Sequence, residues 1–161
     1  MQYFDFTEAD AKYFYGRQAV TDQLIEKVRQ SNFLAVLGAS GSGKSSVVRA
    51  GLLYQLQQGK KLSGSDTWQL RIFRPGEHPL QSLAQAFLDA GLSGIQRASQ
   101  LQQAEELINK DSQGLGQLID AASSERVVLV LDQFEEVFTL CQNNQERKHF
   151  WLFSSFYGKL S

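Results

Sequence analysis

Eight consecutive residues have the types and the spacing of a phosphate-binding loop. Residues 38–45 read G-x-x-x-x-G-K-S, directly after a short apolar run and directly before a helical pattern. Glycines leave room for backbone N–H groups to point at phosphate oxygens, and the helix that follows adds the positive end of its dipole. In such a loop Lys44 reaches the β- and γ-phosphates, and the Ser45 hydroxyl is a ligand of Mg²⁺. The candidate nucleotide-binding residues here are Gly38, Ala39, Ser40, Gly41, Ser42, Gly43, Lys44, Ser45 and Ser46.

A second candidate site follows the apolar run of residues 127–131, which ends at Asp132. Ligands gather at the carboxyl ends of buried parallel strands, and Mg²⁺ takes only one or two protein ligands. We therefore expect Ser45 and Asp132 to hold the metal, directly or through water. Glu135 and Glu136 come next and are candidates for polarising the attacking water, as an alternative to being solvated acids in the first turn of a helix. We favour Glu135, with Glu136 second, so the predicted catalytic residues are Lys44, Glu135 and Glu136.

The elements that must position these residues alternate between strands and helices. Short apolar runs without polar alternation predict strands at residues 33–37 and 127–131, and a weaker one at 68–73. Helical patterns cover residues 18–30, 44–57, 79–90 and 145–157, with two short helices in 93–117 that are broken near Gly114 and Gly116. This order predicts a three-layer α/β fold with a mostly parallel sheet. The strands 33–37 and 127–131 are expected either to flank a further strand or to pair directly.

Composition excludes several classes of function. Sixteen basic and seventeen acidic residues leave no net field to attract nucleic acid or anionic lipid. The single cysteine, Cys141, excludes an intramolecular disulfide, and with His78 and His149 it makes no zinc spacing. No apolar run is long enough to cross a bilayer, and the N-terminus has no signal-peptide pattern. We expect a cytoplasmic protein that contacts neither nucleic acid nor membrane.

With these motifs in place, the chain resembles the novel STAND branch of P-loop ATPases, found in bacterial multidomain and WD-repeat proteins. Residues 11–18 are similar to that family's F-x-G-R-E motif, with Gln18 where glutamate is usual. Residues 33–53 resemble its phosphate loop and helix, 73–80 its R-P-G-x-x-P-L segment, and 131–138 its D-Q-F-E-E-h-F block. The resemblance implies that Gly16 and Arg17 lie near the adenine or the phosphates; by themselves they indicate only a turn before a helix. It also implies that residues 1–17 are an arm leading into the ATPase domain.

The family implies an ATP-dependent regulatory switch, with Mg²⁺ as cofactor, ATP and ADP as ligands, and attached sensor or effector domains such as WD repeats. Strands and a helical lid of that domain have no counterpart after the last predicted helix, so we expect residues 1–161 to be its N-terminal part, truncated after the Walker B strand and its helix. The missing part of the domain is then itself a partner, and oligomers are compatible with the family. Hydrolysis is expected of the full-length protein, and binding without efficient turnover of this chain.

Two alternative functions stay open on the sequence, a small P-loop kinase and a nucleotide-binding interaction domain without hydrolysis. Residues 93–117 have only Arg97 where a kinase lid is usually rich in arginine. Asn109 and Lys110 begin a pattern like the guanine-reading N-K-x-D, but Ser112 replaces its aspartate, which favours adenine.

Arg74 is interpreted either as a nucleotide or interface contact or as an ordinary surface arginine at a turn. The aromatic residues of the N-terminal arm are expected to pack against the sheet edge, and those of residues 150–157 to pack on the sheet or on the missing part of the domain.

Overall fold

The computed structural model describes residues 16–110, 113–122 and 126–157, with side chains as far as Leu152. The described chain divides into two compact units, residues 16–68 and residues 69–157, which we call the N-terminal and C-terminal units. The aromatic residues before Gly16 lie outside the described residues, as do Asp111 and Ser112. No helix of the described ranges is both long and apolar enough to span a membrane.

The N-terminal unit is helical. Helix α1 (Gln18–Gln30) has the predicted bounds and buries Thr21, Leu24 and Ile25, which the helical period places on one face. The second predicted helix begins at Lys44 as expected and ends one residue late. It consists of α2 (Lys44–Ser46), a π-helical segment (Val47–Leu53) and α3 (Tyr54–Gln58). A short 3₁₀ turn (Ser65–Thr67) follows, and its Ser65 hydroxyl donates a 2.7 Å hydrogen bond to the carbonyl of Leu56.

The predicted strand at residues 33–37 is wrong. These residues have neither helical nor strand structure, and the side chains of Phe33 and Leu37 are 50% and 90% exposed. A strand exists only where a neighbouring strand completes its hydrogen bonds, and the described part of the N-terminal unit, residues 16–68, contains none.

The C-terminal unit contains a parallel sheet of two strands, β1 (Gln69–Phe73) and β2 (Val127–Leu131). Both strands were predicted, and they pair with each other in a register that sets Gln69 opposite Val127 and Phe73 opposite Leu131. The described sheet therefore consists of β1 and β2. Parallel strands with helices between them make an α/β arrangement.

Helices pack against this sheet and supply most of the core residues. They are α4 (Pro79–Ala86), α5 (Gly94–Lys110), α6 (Gly114–Ala122), α7 (Glu136–Thr139) and α8 (Asn144–Tyr157). Helix α4 starts with proline at its first position, where the missing N–H costs nothing, and ends four residues earlier than predicted. Helix α8 confirms the predicted 145–157 helix and begins one residue earlier. The core consists of Phe73, Leu80, Leu83, Ala84, Phe87, Ala104, Ile108, Leu115, Leu118, Val137 and Phe150.

The glutamine-rich stretch forms two helices, as predicted, and the break lies next to Gly114 as expected but not at Gly116. Helix α5 ends at Lys110, and Gly114 is the first residue of α6 rather than a breaker, with Gly116 inside that helix. A Cβ atom at Gly114 would lie 1.8 Å from the carbonyl oxygen of Leu107. Gly114 is therefore required for the close approach of α6 to the backbone of α5.

Candidate functional site

The phosphate loop is a compact turn that leads directly into a helix. The amide of Ser42 donates to the carbonyl of Ala39 at 3.2 Å, which folds the middle of the loop back on itself. Gly41 and Gly43 have φ of 75° and 84°, a left-handed conformation that glycine adopts without steric cost. Helix α2 then begins at Lys44, so the N-terminal end of the helix lies at the end of the loop.

Lys44 closes the loop on its own backbone. Its Nζ atom donates hydrogen bonds of 2.7 Å to the carbonyl of Gly38 and 2.9 Å to that of Ala39. The amine is thus held at the start of the loop although its Cα atom is in the helix. Ser45 is half-buried in the first turn of this helix, and Ser46 is exposed.

Arg17 lies against the same loop. Its Nη1 atom donates to the carbonyl oxygens of Ser42 and Gly43 at 3.0 and 3.4 Å. Gly16, with φ of 87°, makes the turn that precedes α1 and presents Arg17 to the loop. Both residues therefore lie with the phosphate loop in the N-terminal unit, and their role toward a nucleotide stays a prediction.

Asp132 occupies the carboxyl end of β2, as the sequence predicts. Its amide extends the parallel ladder by donating to the carbonyl of Phe73 at 3.0 Å. Its side chain is only 10% exposed, and its Oδ2 atom lies 3.7 Å from Nε of Arg74. The carboxylate is thus nearly buried and has the guanidinium of Arg74 beside it.

The two glutamates that follow have different surroundings. Gln133, with φ of 58°, turns the chain out of the sheet, and α7 starts at Glu136. Glu136 is partly buried, and its Oε2 atom accepts a 3.1 Å hydrogen bond from the amide of Gly76. Glu135 is exposed. The carboxylate of Glu136 is therefore engaged in holding the 74–76 turn, whereas that of Glu135 faces solvent.

An aromatic cluster, formed by Phe134, Phe138 and Trp151, packs residues 131–138 against α8; these residues are the predicted Walker B motif and are called the Walker B segment below. Their ring centroids are 5.7 to 6.0 Å apart. The aromatic residues of 150–157 were expected to pack on the sheet or on the missing part of the domain, and the side chain of Trp151 is 49% exposed. Phe150 meets the expectation, since it is buried and its ring lies 6.2 Å from that of Phe73.

Arg74 and Gly76 are contacts of the Walker B segment that the sequence analysis did not assign. These contacts could have been predicted from the strand pairing, because the residues just after two paired parallel strands lie side by side. The R-P-G turn follows β1 and Asp132 follows β2, so strand pairing was the missing information.

The predicted site residues fall into both units. The phosphate loop, Gly16 and Arg17 belong to the N-terminal unit, and Asp132, Glu135 and Glu136 belong to the C-terminal unit. Within the described ranges no group of three or more His, Cys, Asp or Glu side chains could hold a metal ion. A polar pocket of about 490 Å³ in the C-terminal unit, lined by residues such as His78, Glu105 and His149, contains no predicted site residue.

Comparison with known proteins gives one match. The family model described as Novel STAND NTPase 1 matches residues 3–154, which is nearly the whole chain. No curated protein and no solved structure matches at the significance that such comparisons require. The matched range contains both the phosphate loop and the Walker B segment, and on this evidence the chain belongs to the Novel STAND NTPase 1 family and is a nucleotide-binding NTPase module.

Proposed function

We propose that the chain is the Mg·ATP-binding module of a regulatory STAND-type NTPase. The observation that carries the proposal is the geometry of residues 38–45. Two left-handed glycines fold the loop, a helix starts at its end, and the amine of Lys44 is held over its carbonyls. This arrangement gathers N–H donors, a helix dipole and a cation at one place, which suits a polyphosphate better than any other small ligand.

We propose adenine rather than guanine as the base. Asn109 and Lys110 end helix α5, and the Asn109 amide donates to the carbonyl of Glu105 at 2.8 Å within that helix. A side chain that caps its own helix is not displayed in a loop for base reading. This supports the sequence argument that the N-K-x-D resemblance at residues 109–112 is accidental.

The proposed metal is Mg²⁺, with Ser45 and Asp132 as protein ligands. The donors fit, because a hydroxyl and a nearly buried carboxylate are hard oxygen ligands of the kind that Mg²⁺ prefers. When bound, Mg²⁺ would neutralise charge on the phosphates. The three-layer arrangement of P-loop NTPases, which brings these two residues to one site, is part of the proposal.

For hydrolysis we propose Glu135 as the residue that orients the attacking water. Glu136 accepts a hydrogen bond from Gly76 in the turn beside β1, and this engagement leaves it less free to accept a proton from water. Glu135 is exposed and follows Asp132 by three residues. Lys44 would bind the phosphates and stabilise charge that develops on them.

The proposed cellular role is a switch in which nucleotide state is passed to attached sensor or effector domains, WD repeats among them. The support is family membership, with which an oligomer is also compatible. A cytoplasmic location is proposed on the sequence grounds given above.

Nucleotide titration tests the core of this proposal. Wild-type protein should bind ATP and ADP in the presence of Mg²⁺, and GTP more weakly. Lys44→Ala should weaken ATP binding by roughly 10- to 100-fold, because a charge-assisted hydrogen bond contributes about 1.5–3 kcal/mol. The matched control is Lys60→Ala, which removes an exposed lysine of the same unit outside the loop and should bind as wild type does. Equal ATP affinity of Lys44→Ala and wild type would refute the assignment.

A further inference from the structure

The helix that follows the phosphate loop is not a regular α-helix throughout. Its middle, Val47–Leu53, is a π-helical segment between α2 and α3. Where this segment ends, the amide of Tyr54 donates to the carbonyls of Arg49 and Gly51, five and three residues earlier. A single π-helical turn inside an α-helix holds one residue more than the α-helical repeat requires, and such turns often occur at functional sites.

The buried side chains follow the spacing that this extra residue creates. Val47, Leu52 and Leu56 are 4%, 4% and 0% exposed. Leu52 and Leu56 are four residues apart, which is the spacing of one face of an α-helix, whereas Val47 and Leu52 are five apart. In a regular α-helix five residues turn the direction of a side chain by about 140°, because each residue turns it by about 100°. The π-helical segment offsets this turn, so apolar residues on both sides of it are buried.

The two ends of this helix have different surroundings. The end beyond the π-helical segment is anchored, since Leu56 is fully buried and its carbonyl accepts the hydrogen bond of the Ser65 hydroxyl. The end before the segment carries Lys44, whose amine is bonded to the carbonyls of Gly38 and Ala39. A polyphosphate in the loop has to replace these two carbonyls as the partner of the amine.

We propose that the π-helical segment is a register switch, which releases Lys44 from the loop carbonyls when a polyphosphate binds. When the extra residue moves from the segment to the loop, the first turn of the helix rotates by about 100° and moves by about 1.5 Å along the axis, while the buried end stays in place. Helix register shifts take microseconds to milliseconds, which is fast enough to accompany binding. The release of Lys44 rests on the proposed function, whereas the presence of an extra residue in the helix does not.

Removal of one residue tests for the extra residue without any ligand. Deletion of Val48 leaves Val47 and Leu52 four positions apart, as in a regular α-helix, so urea unfolding of the full chain should have nearly the same midpoint as in wild type. The matched control is deletion of Gln23, an exposed residue inside the regular helix α1. This deletion separates Thr21 from the rest of the buried face and should lower the midpoint clearly. An equal loss in both deletions would overturn the inference.

Binding of inorganic tripolyphosphate, followed by calorimetry, tests the release of Lys44. Deletion of Val48 keeps the helix in one register and should weaken tripolyphosphate binding at least about tenfold, the factor that corresponds to one hydrogen bond to a charged group. Val48→Ala shortens the same side chain but keeps the extra residue, and it should bind as wild type does. Amide exchange of residues 50–54 should slow when tripolyphosphate binds to wild type, and should be slow already in the deletion variant.

The outcomes separate the switch from the proposed function. The switch is overturned if the deletion variant binds tripolyphosphate as wild type does, if Val48→Ala loses as much affinity, or if binding leaves the exchange of residues 50–54 unchanged. A wild type that binds neither tripolyphosphate nor ATP would refute the proposed function together with the switch and leave only the extra residue standing. Binding that depends on Lys44 but not on the deletion would refute the switch alone.

Discussion

The guanidinium of Arg17 is hydrogen-bonded to the backbone of the phosphate loop, with its Nη1 atom 3.0 Å from the carbonyl oxygen of Ser42. The same atom lies 3.4 Å from the carbonyl oxygen of Gly43. These two hydrogen bonds tie the carbonyls of Ser42 and Gly43, at the end of the loop, to the residue that precedes α1. Arg17 thus positions the loop through its backbone, whatever further contact it makes with a nucleotide.

Gly43 should be more sensitive to substitution than Gly41. Both have positive φ, so alanine at either costs about 1 kcal/mol in backbone strain. A Cβ atom at Gly43 would also lie 2.6 Å from Nη1 of Arg17, whereas one at Gly41 meets nothing within 4 Å. Gly43→Ala must therefore displace Arg17 and lose its loop contacts. Urea unfolding should show a larger loss of stability for Gly43→Ala than for Gly41→Ala, and ATP titration a larger loss of affinity.

Making both alanine substitutions in an Arg17→Ala background isolates the effect of the contact between Arg17 and residue 43. Without Arg17, Gly41→Ala and Gly43→Ala should lower the free energy of unfolding by about the same amount, because only the backbone strain is left. If the two substitutions already lower the free energy of unfolding equally in the wild-type background, Arg17 does not constrain Gly43.

Substitution of Glu136 should lower the stability of the fold, whereas substitution of Glu135 should affect ATP hydrolysis. Glu136→Ala removes the acceptor of the Gly76 amide and should lower the free energy of unfolding by about 1–3 kcal/mol. Glu135→Ala changes an exposed side chain and should stay within about 0.5 kcal/mol of wild type. If the chain releases phosphate from ATP, Glu135→Gln should abolish the release while ATP binding persists. Loss of release in Glu136→Gln alone, at unchanged stability, would reverse the assignment.

Thr21→Val should stabilise the N-terminal unit. Thr21 is 4% exposed, and its Oγ1 atom is buried without a hydrogen-bond partner in the described ranges of the chain. A buried hydroxyl without a partner costs free energy, so a methyl group in its place should raise the free energy of unfolding by about 1 kcal/mol. Thr139→Val is the matched control, since the Thr139 hydroxyl donates to the carbonyl of Glu135 at 3.1 Å. That variant should be unchanged or less stable, and a loss of stability in Thr21→Val would contradict the argument.

Local patterns explain why most of the helices and the two strands of the sheet could be predicted. In α1 the buried residues follow the helical period, and β2 is a continuous apolar run that ends in a carboxylate. The apolar run of residues 33–37 has the same local character but no strand within its unit's described residues to pair with. Periodicity cannot supply this information, because strand formation depends on a partner distant in sequence.

The candidate site likewise combines local features, which the sequence predicts, with contacts between distant segments, which it does not. The phosphate loop was predictable because all its parts are local to residues 38–46, and Asp132 because a strand ends at it. The Arg74–Asp132 contact depends on the pairing of β1 with β2, and the preference for Glu135 over Glu136 gains its physical support only from the Gly76 hydrogen bond. Contacts between segments more than fifty residues apart carry no local sequence pattern.

Trp151 should report on the state of the Walker B segment. Phe134 lies between Asp132 and Glu135, and its ring centroid is 5.9 Å from that of Trp151. A ligand that shifts this turn must change the packing around the half-exposed indole, and with it the fluorescence. The chain has two tryptophans, so Trp68→Phe leaves Trp151 as the only one.

The emission of the Trp68→Phe protein should therefore change when Mg·ATP is added, and Lys44→Ala in the same background should not respond at the same nucleotide concentration. The reciprocal variant, Trp151→Phe, keeps Trp68 and controls for a general effect of nucleotide on tryptophan emission. Phe134→Leu, which removes the aromatic ring between the turn and the indole, should reduce the change without preventing ATP binding. An equal change in Trp151→Phe, or none in Trp68→Phe at saturating ATP, would show that nucleotide state does not reach α8 through Phe134.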